Sequence, residues 1–228
     1  LYSAYHNGVH IDKDAVITGD VLSLDELHMA KNAVIHGAAF AIQKAKLASG
    51  TAIDDGLYAN GVVDNNGSAA WVGAVPASIP VPPAWDDSLF QSLLADAALE
   101  PSGDLSEGFL DLAGATLFVN GDFELDSAGT LVGPGIIVAT GDVKIGDGSV
   151  VGADVSFVAG KKFDLGDNST MGDKGLVFAH AGINVGEDAV LDDVHLATND
   201  DIDIRKGATT SGLMFAVWHI DLHPGSNV

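Results

Sequence analysis

The triplet Val143-Lys144-Ile145, one polar residue between two apolar ones, decides the fold because equivalent triplets recur along the chain. They start 18 residues apart near the N-terminus and 18 to 20 residues apart in the second half. The other triplets are Val9-His10-Ile11, Leu27-His28-Met29, Ala45-Lys46-Leu47, Phe123-Glu124-Leu125, Phe163-Asp164-Leu165, Ile183-Asn184-Val185, Ile202-Asp203-Ile204 and Ile220-Asp221-Leu222. A fixed period of this size, carried by short strands, is typical of a parallel β-helix.

Alternation within each triplet predicts which side chains form the core. Neighbouring residues of a strand point to opposite faces, so the two apolar residues point inward and the polar residue points outward. Each turn of the coil lies about 4.8 Å above the one before it, and equivalent inward side chains stack. The sequence therefore predicts an all-β fold, a single-stranded parallel β-helix (solenoid) of about nine to ten rungs.

Further columns recur on the other faces of the coil with the same spacing. Glycines such as Gly121 and Gly146 stand next to the triplets and are expected at corners, where a positive φ costs glycine little. The columns expected to point inward are Ala15, Ala33 and Thr51; Ile17, Ile35 and Ile53; Ser149, Ser169 and Ala189; Val151, Met171 and Leu191; Phe118, Val138, Val158 and Phe178; and the aromatic pair Phe123 and Phe163.

Composition excludes several classes of function. The chain has 228 residues, of which 47% are hydrophobic, and a formal net charge of −22 with Arg205 as its single arginine. Nucleic acid is not an expected partner, because its phosphates need basic groups. The chain has no cysteine, which excludes disulfides and thiolate chemistry. No apolar run reaches the roughly 18 residues of a membrane span, so direct membrane insertion of this segment is not expected.

The triplets divide the chain into three segments of one continuous domain. Residues 1–63 are expected to form N-terminal rungs and residues 117–228 C-terminal rungs. The triplets stop between them, and residues 64–116 are expected to be an insertion packed on the side of the coil. It contains a Pro-rich stretch and then an amphipathic pattern that predicts a helix at about 87–99, which Trp85 would anchor.

The chain resembles a known family, the β-helical domain of PilX-like, type IV pilus-associated proteins of bacteria. The resemblance rests on repeated lines such as residues 138–145 and 178–185, and on the Pro-rich break followed by Trp-Asp-Asp-Ser-Leu-Phe at 85–90. It implies an extracellular role in a pilus or surface filament and supplies no catalytic residues. The long apolar helix that begins such proteins is missing here. A weaker resemblance, to bactofilins, rests on the six-residue repeat of residues 9–53.

Two kinds of metal site are candidates. An offset of 18 residues places Asp201 beside His219 and Asp203 beside Asp221, so Asp201, His219 and Asp221 form a candidate cross-rung metal site on the outer surface. Acidic corners form the second candidate, because carboxylate and carbonyl oxygens are the ligands that Ca²⁺ prefers. These corners contain Asp147, Asp167, Asp192 and Asp193. No cofactor is required, and Ca²⁺ is the ion that the acidic corners would hold.

Other chemistries are weighed and not favoured. His10 and His28 stack at equivalent outward positions, as in some acyltransferases with six-residue repeats, but Lys46 replaces the third histidine. The single arginine does not favour a polysaccharide lyase. An ice-binding face would need an outward threonine ladder, and the sequence spacing of the threonines predicts no such alignment. The threonines compared are Thr18, Thr130, Thr140, Thr170 and Thr198.

The chain is therefore expected to be a non-enzymatic structural or interaction module of an extracellular pilus-like or surface filament, with an adhesive role also compatible. The expected partners are further copies of itself or other filament subunits, at the cell surface or outside the cell. Because a β-helix ends in open sheet edges, missing sequence or a neighbouring subunit is expected to cover the ends at Leu1 and Val228. The alternative is a carbohydrate-binding or polysaccharide-processing β-helix protein.

Overall fold

The computed structural model is a β-solenoid of about ten turns, as the repeat predicts, with one short helix among the residues that it describes. It describes residues 1–3, 8–66, 68–69, 72–73 and 86–228. Trp85 and the Pro-rich stretch that precedes it lie outside these residues, so their expected roles stay predictions. The described residues group into two compact units: unit 1 comprises Leu1–Pro83, Asp200–Gly207 and Phe215–Val228, and unit 2 comprises Ala84–Asn199 and Ala208–Met214.

The strands are short and fall at a constant spacing along the chain. The first half contains β1 (Tyr2–Ser3), β2 (Gly8–Ile11), β3 (Val16–Ile17), β4 (Val21–Ser23), β5 (Glu26–Met29), β6 (Val34–Ile35), β7 (Ala39–Ala41), β8 (Lys44–Leu47), β9 (Ala52–Ile53), β10 (Leu57–Ala59), β11 (Val63–Asn65), β12 (Ser68–Ala69) and β13 (Val72–Gly73). Each turn thus contributes three strands, one to each face of the coil.

The same plan returns after the helix α1 (Ser88–Ala97). The second half contains β14 (Leu105–Asp111), β15 (Thr116–Val119), β16 (Phe123–Val132), β17 (Gly135–Ala139), β18 (Val143–Ile145), β19 (Val150–Val151), β20 (Val155–Ala159), β21 (Phe163–Leu165), β22 (Thr170–Met171), β23 (Leu176–Ala179), β24 (Ile183–Val185), β25 (Val190–Leu191), β26 (His195–Thr198), β27 (Ile202–Ile204), β28 (Thr209–Thr210), β29 (Met214–Ala216) and β30 (His219–Leu222). The helix lies within the predicted range of 87–99.

The alternation that the triplets predict is confirmed. Both apolar residues of every triplet are buried, and each middle residue is at least partly exposed. The Ala15 and Ser149 columns and the aromatic pair Phe123 and Phe163 also point inward and are buried. In unit 2, Phe157 adds a third interior ring, 5.2 Å from that of Phe163. The core is therefore a stack of equivalent side chains.

In unit 1 strands from the two ends of the chain pair with each other. β2 lies between β5 and β30, and β30 lies between β2 and β27; all these pairs are parallel. β1 lies between β4 and β29. Near the C-terminus, the amide of Val228 donates to the carbonyl of Val16 at 2.8 Å. The ends near Leu1 and Val228 are expected to be covered by missing sequence or a neighbouring subunit; in the structure strands of the chain itself cover them, because β1 pairs with β29 and β2 pairs with β30.

Gly8 allows this close packing at the start of β2. Its φ is +73°, and a Cβ atom at this position would lie 1.8 Å from the carbonyl oxygen of Glu26 on the neighbouring strand. An L-residue side chain disfavours that dihedral and would collide with the backbone. Glycine is thus required here for two separate reasons.

In unit 2 the rungs stack in sequence order. One sheet has the order β26-β23-β20-β17-β15, and the other has the order β24-β21-β18-β16-β19-β22-β25-β28 with β14 against β16. β14 pairs with both halves of β16 across a register shift between Glu107 and Phe109. Pairing therefore extends into the 64–116 segment from both sides, through β11 to β13 and through β14.

A hydrophobic column on the outside of unit 2 corrects one expectation. Val138 lies between Ile137 and Ala139, which fill the interior, so it points outward, and the same holds for its partners Phe118, Val158 and Phe178. Val138, Val158 and Phe178 are nevertheless buried. Helix α1 packs on β15, β17 and β20. The column was expected to point inward because apolar character alone does not separate a core side chain from one covered by a helix.

The helix is held by a stacked aromatic pair and by polar contacts at its start. The ring of Phe90 lies 4.2 Å from that of Phe178, with 6° between the ring planes. A carboxylate oxygen of Asp87 accepts hydrogen bonds from the amide groups of Asn199, at 2.8 Å, and Gln91, at 2.9 Å. These bonds, with that from Asn199 the stronger influence, lower the pKa of Asp87. Together these contacts attach the helix to the rungs beneath it.

Corner aspartates join successive rungs of unit 2. A carboxylate oxygen of Asp104 accepts the amide of Asp122 at 2.9 Å, and Asp122 accepts the amide of Asp142 at 2.8 Å. Asp142 in turn accepts the amide of Lys162 at 3.0 Å. We call Asp104, Asp122 and Asp142 the corner-aspartate ladder. It accounts for part of the acidic composition through turn chemistry.

Candidate functional site

A cluster of histidines and aspartates occupies one outward face of unit 1. Register on that face places Asp203, Asp221, His10 and His28 side by side on β27, β30, β2 and β5. His219 lies two residues before Asp221 on β30, so it points to the same side. We call His10, His219, Asp221 and their neighbours Asp201 and Asp203 the His/Asp cluster.

The cluster contains three ligand atoms within reach of one ion. One nitrogen of His10, one nitrogen of His219 and one carboxylate oxygen of Asp221 all lie within 4.8 Å of one another. They form the one group of this kind found among the described residues. Asp201 and His219 stack as the 18-residue offset predicts, with 3.3 Å between Oδ1 and Nδ1. Whether the predicted trio of Asp201, His219 and Asp221 binds a metal stays a prediction.

His10 is the residue that sequence reasoning missed as a possible ligand. The repeat in the sequence gives His10 one neighbour, His28, because it offers the first rung a partner on one side only. Pairing of β2 with β30 gives His10 a second neighbour, Asp221, although 211 positions separate them in the chain. The spacing of the triplets could not have found it, because rungs of nearly equal length are interchangeable as partners.

Electrostatics at the cluster follow the facing charges. The carboxylate of Asp221 raises the pKa of His219, against the opposing effect of burial, and Asp201 adds to the rise. His219 lowers the pKa of Asp221 in return. Burial, and then the neighbouring His10, lower the pKa of His28. The side chain of His219, 23% exposed, is therefore held in its protonated form more strongly than a free imidazole, because two carboxylates face it.

The four acidic corner residues proposed for Ca²⁺ do not converge. Asp147 accepts the amide of Asp167 at 3.0 Å, and Asp167 accepts the amide of Glu187 at 2.8 Å. Asp192 and Asp193 lie at a different corner, where the amide of Asp193 donates to Ser211 at 2.7 Å. In the part of the chain that the structure describes, no group of three close ligand atoms contains any of the four. Asp147 and Asp167 act as turn residues, and calcium binding at these corners stays a prediction.

A second candidate surface is an uncharged column on one face of unit 2. Register places Thr130, Val150, Thr170, Val190 and Thr209 side by side. Phe109 on β14 continues the column beyond Thr130. Val150 is 50% exposed, Val190 42% and Phe109 64%. We call these six residues the threonine–valine face, which spans about 24 Å at the usual strand spacing.

Of the five threonines compared in the sequence, the expectation that they do not line up is wrong for Thr130 and Thr170 alone. Thr130 and Thr170 share one outward column, with Thr209 as a third member, and valines occupy the alternate rungs. Thr198, by contrast, is fully buried. The alignment was missed because valine was not counted as equivalent to threonine, although both are β-branched and nearly the same in shape. Most of the strands that carry the column are also short, so the alternation of outward and inward side chains is difficult to recognise in the sequence.

Comparisons with known proteins add little to these surfaces. No protein-family model matches the chain, and no curated protein matches it. One solved structure, an ice binding protein from an Antarctic Biological Consortium, aligns with 96% of this chain and 85% of its own at 13% identity and a TM-score of 0.35. The alignment assigns neither a family nor a ligand. No helix among the described residues is long and apolar enough to span a membrane.

Proposed function

We propose that this protein is a non-enzymatic interaction module of an extracellular surface filament and that the threonine–valine face contacts a neighbouring subunit. The observation that carries the proposal is that face itself. Six outward side chains in a row carry no charge, on a chain whose formal net charge is −22. Three of the six, Phe109, Val150 and Val190, are exposed apolar side chains, and apolar groups exposed together on one face are typical of interaction sites.

The surrounding architecture makes the face rigid. β22 is paired on both sides, with β19 and β25, and β25 is paired with β22 and β28. Below the face, Val151, Met171 and Leu191 fill the interior and are buried. Binding would therefore require little ordering of the contact residues, which lowers the entropic cost of association.

Charge supports the choice of this face over the triplet face of the same unit. The outward residues there include Glu124 and Lys144, whose charged groups lie 3.2 Å apart, and Asp164, which Asn184 contacts. Two copies of an acidic protein repel each other, and an uncharged face is where that repulsion is smallest. A pilus-like or adhesive role requires, in addition, that the partner in this contact is another filament subunit.

The test is self-association of the full chain, measured by analytical ultracentrifugation and negative-stain electron microscopy. Val150→Asp places one negative charge in the centre of the face. Ser92→Asp, on the exposed side of α1, adds the same charge elsewhere and serves as the matched control. We expect concentration-dependent assembly of the wild type and of Ser92→Asp, and at least about tenfold weaker assembly of Val150→Asp.

Two results contradict the proposal. If the wild type remains monomeric at about 100 μM and forms no filaments, the threonine–valine face does not mediate self-association. Equal assembly of Val150→Asp and the control shows that another surface mediates it. Binding of a polysaccharide or release of reducing ends, unaffected by Val150→Asp, supports the carbohydrate alternative instead.

A second candidate function, binding to ice, is favoured by the alternation of threonine and valine. The column presents hydroxyl and methyl groups in turn, at a spacing of about 4.8 Å from one rung to the next. A surface that repeats at a constant spacing fits a ligand that also repeats, as a crystal face does. The measurement is thermal hysteresis and ice-crystal shape. Thr170→Tyr, which places a bulky ring in the middle of the column, should abolish both effects, while Ser92→Asp should retain them; absence of both effects in the wild type rejects this candidate.

A further inference from the structure

We propose that His10, His219 and Asp221 bind one divalent transition-metal ion, with Zn²⁺ as the best match, and that the ion joins β2 and β30 of unit 1. This inference is separate from the contact surface proposed above, which lies on unit 2. It rests on the pairing of β2 with β30, which places Asp221 directly opposite His10.

Distances in the cluster are close to those that a bound ion needs. The three ligand atoms lie within 4.8 Å of one another. Ligand atoms on one tetrahedral zinc, with bonds of about 2.0 Å, are separated by about 3.3 Å. Side-chain rotation can close that difference, because the backbone positions are already those of neighbouring residues on paired strands. The ring centres of His10 and His219 lie 5.4 Å apart, so neither ring obstructs the other.

The neighbouring carboxylate prepares His219 for this role. Asp201 Oδ1 lies 3.3 Å from Nδ1 of His219, while Asp221 Oδ2 lies 3.7 Å from Nε2. Histidine ligands usually donate their second N–H to a carboxylate, which sets the tautomer and the ring orientation. In this arrangement Nδ1 of His219 donates to Asp201 and Nε2 is left to bind the ion together with Asp221.

Further carboxylates line the cluster. The Oδ1 atoms of Asp201 and Asp203 are buried, and each faces a histidine nitrogen, Nδ1 of His219 at 3.3 Å and Nε2 of His223 at 3.0 Å. Two carboxylates beside the proposed ligands make the site favourable for a cation. A cation beside Asp221 would supply positive charge to these carboxylates. The half-buried setting also limits competition from water.

Donor chemistry selects the ion. Two imidazole nitrogens and one carboxylate oxygen suit Zn²⁺, and also Co²⁺ or Ni²⁺, whereas Ca²⁺ prefers oxygen ligands alone. Three protein ligands leave a fourth position for water. Because the ligands come from β2 and β30, the ion would tie together strands that only folding brings into contact. Metal binding would therefore stabilise unit 1.

The experiment uses the full chain after dialysis against EDTA and then against metal-free buffer. Isothermal titration with ZnCl₂ measures stoichiometry and affinity, and thermal unfolding measures stabilisation. Cobalt absorption reports the coordination geometry. We expect one zinc ion per chain, a tetrahedral cobalt spectrum, and a melting temperature about 5–10 °C higher at a free zinc concentration about 100 times the Kd.

Variants identify the ligands. His10→Ala, His219→Ala and Asp221→Asn should each weaken zinc binding at least about 100-fold, and Asp201→Asn should weaken it by about 10- to 100-fold, as loss of a supporting carboxylate does. The matched control is His36→Ala, because His36 faces one carboxylate, Asp54, at 2.8 Å in the same unit. This control should bind zinc like the wild type.

Folding of each variant is verified by far-ultraviolet circular dichroism, and His10→Gln, which keeps a polar side chain on β2, replaces His10→Ala if that variant does not fold. Zinc binding that is unchanged in the three ligand variants would place the ion elsewhere and overturn the proposal. Absence of zinc binding by the wild type, or an octahedral cobalt spectrum without a change in melting temperature, would overturn it as well.

Discussion

Replacing Phe90 by alanine should detach helix α1 from the rungs that it covers and lower the free energy of unfolding by about 2–3 kcal/mol. The ring of Phe90 is half-buried and stacks on that of Phe178 at 4.2 Å. Half-burial of a phenylalanine contributes about 1–1.5 kcal/mol, and a stacked aromatic pair adds about 0.5–1.5 kcal/mol. Loss of Phe90 also exposes part of Phe178, which is otherwise fully buried.

The assay is urea unfolding followed by circular dichroism, applied to a double-mutant cycle of Phe90→Ala and Phe178→Ala. The coupling energy isolates the ring contact from the burial of each residue and should be about 0.5–1.5 kcal/mol. Leu89→Ala is the matched control, because Leu89 is 66% exposed on the same helix and its replacement should change stability by less than about 0.5 kcal/mol. Additive effects of the two phenylalanine variants, or equal stability of Phe90→Ala and the control, would refute the packing described here.

Three further predictions concern the corner-aspartate ladder, the pH dependence of stability at Asp87, and the backbone at Gly8. Asp142→Ala should lower stability in urea by about 1 kcal/mol, since an amide of the next rung loses its acceptor; stability equal to the wild type would contradict a structural role for the ladder. The lowered pKa of Asp87 contributes stability above the unfolded pKa of about 3.9, and this contribution is lost as pH falls through the lower folded pKa. The melting temperature of Asp87→Asn should therefore vary less between pH 5 and 2 than that of the wild type. Equal pH profiles of the two proteins would argue against this contribution of Asp87. Gly8→Ala should lower the free energy of unfolding by about 3 kcal/mol or more, because of its positive φ and the collision of the new Cβ with the backbone. Gly148→Ala, at φ +66° with nothing within 4 Å of the new Cβ, should lower it by only about 1–2 kcal/mol. Equal losses of stability in urea unfolding would show that the collision at Gly8 is relieved.

Pairing of the two chain ends has a consequence for how unit 1 forms. β1 and β2 lack one neighbour until β29 and β30 are in place, and those strands lie more than 200 residues further along the chain. Contacts between residues so distant in sequence are slow to form, because the loop must be closed before the contact stabilises it. The same pairing creates the His/Asp cluster, so the candidate metal site is completed only when the last strand is in place.

The sequence alone determined which side chains of each strand point inward and which point outward. Alternation with a period of two assigns inward and outward side chains without knowledge of any neighbour, which is why every triplet is oriented as predicted. The helix was equally accessible, since its pattern of Phe90, Leu93, Leu94 and Ala97 repeats at the helical period within ten residues. Acidic corners were recognisable as turns for the same local reason.

Tertiary structure decided which rungs are neighbours and what covers the outside of the coil. Rungs of nearly equal length are interchangeable as partners, so the spacing does not reveal that Asp221 faces His10 instead of a further rung. An outward apolar residue and an inward one look alike in sequence, and only the packing of α1 shows that Val138 belongs to the first kind. Both features depend on contacts between distant segments, and the local alternation of side chains carries no record of them.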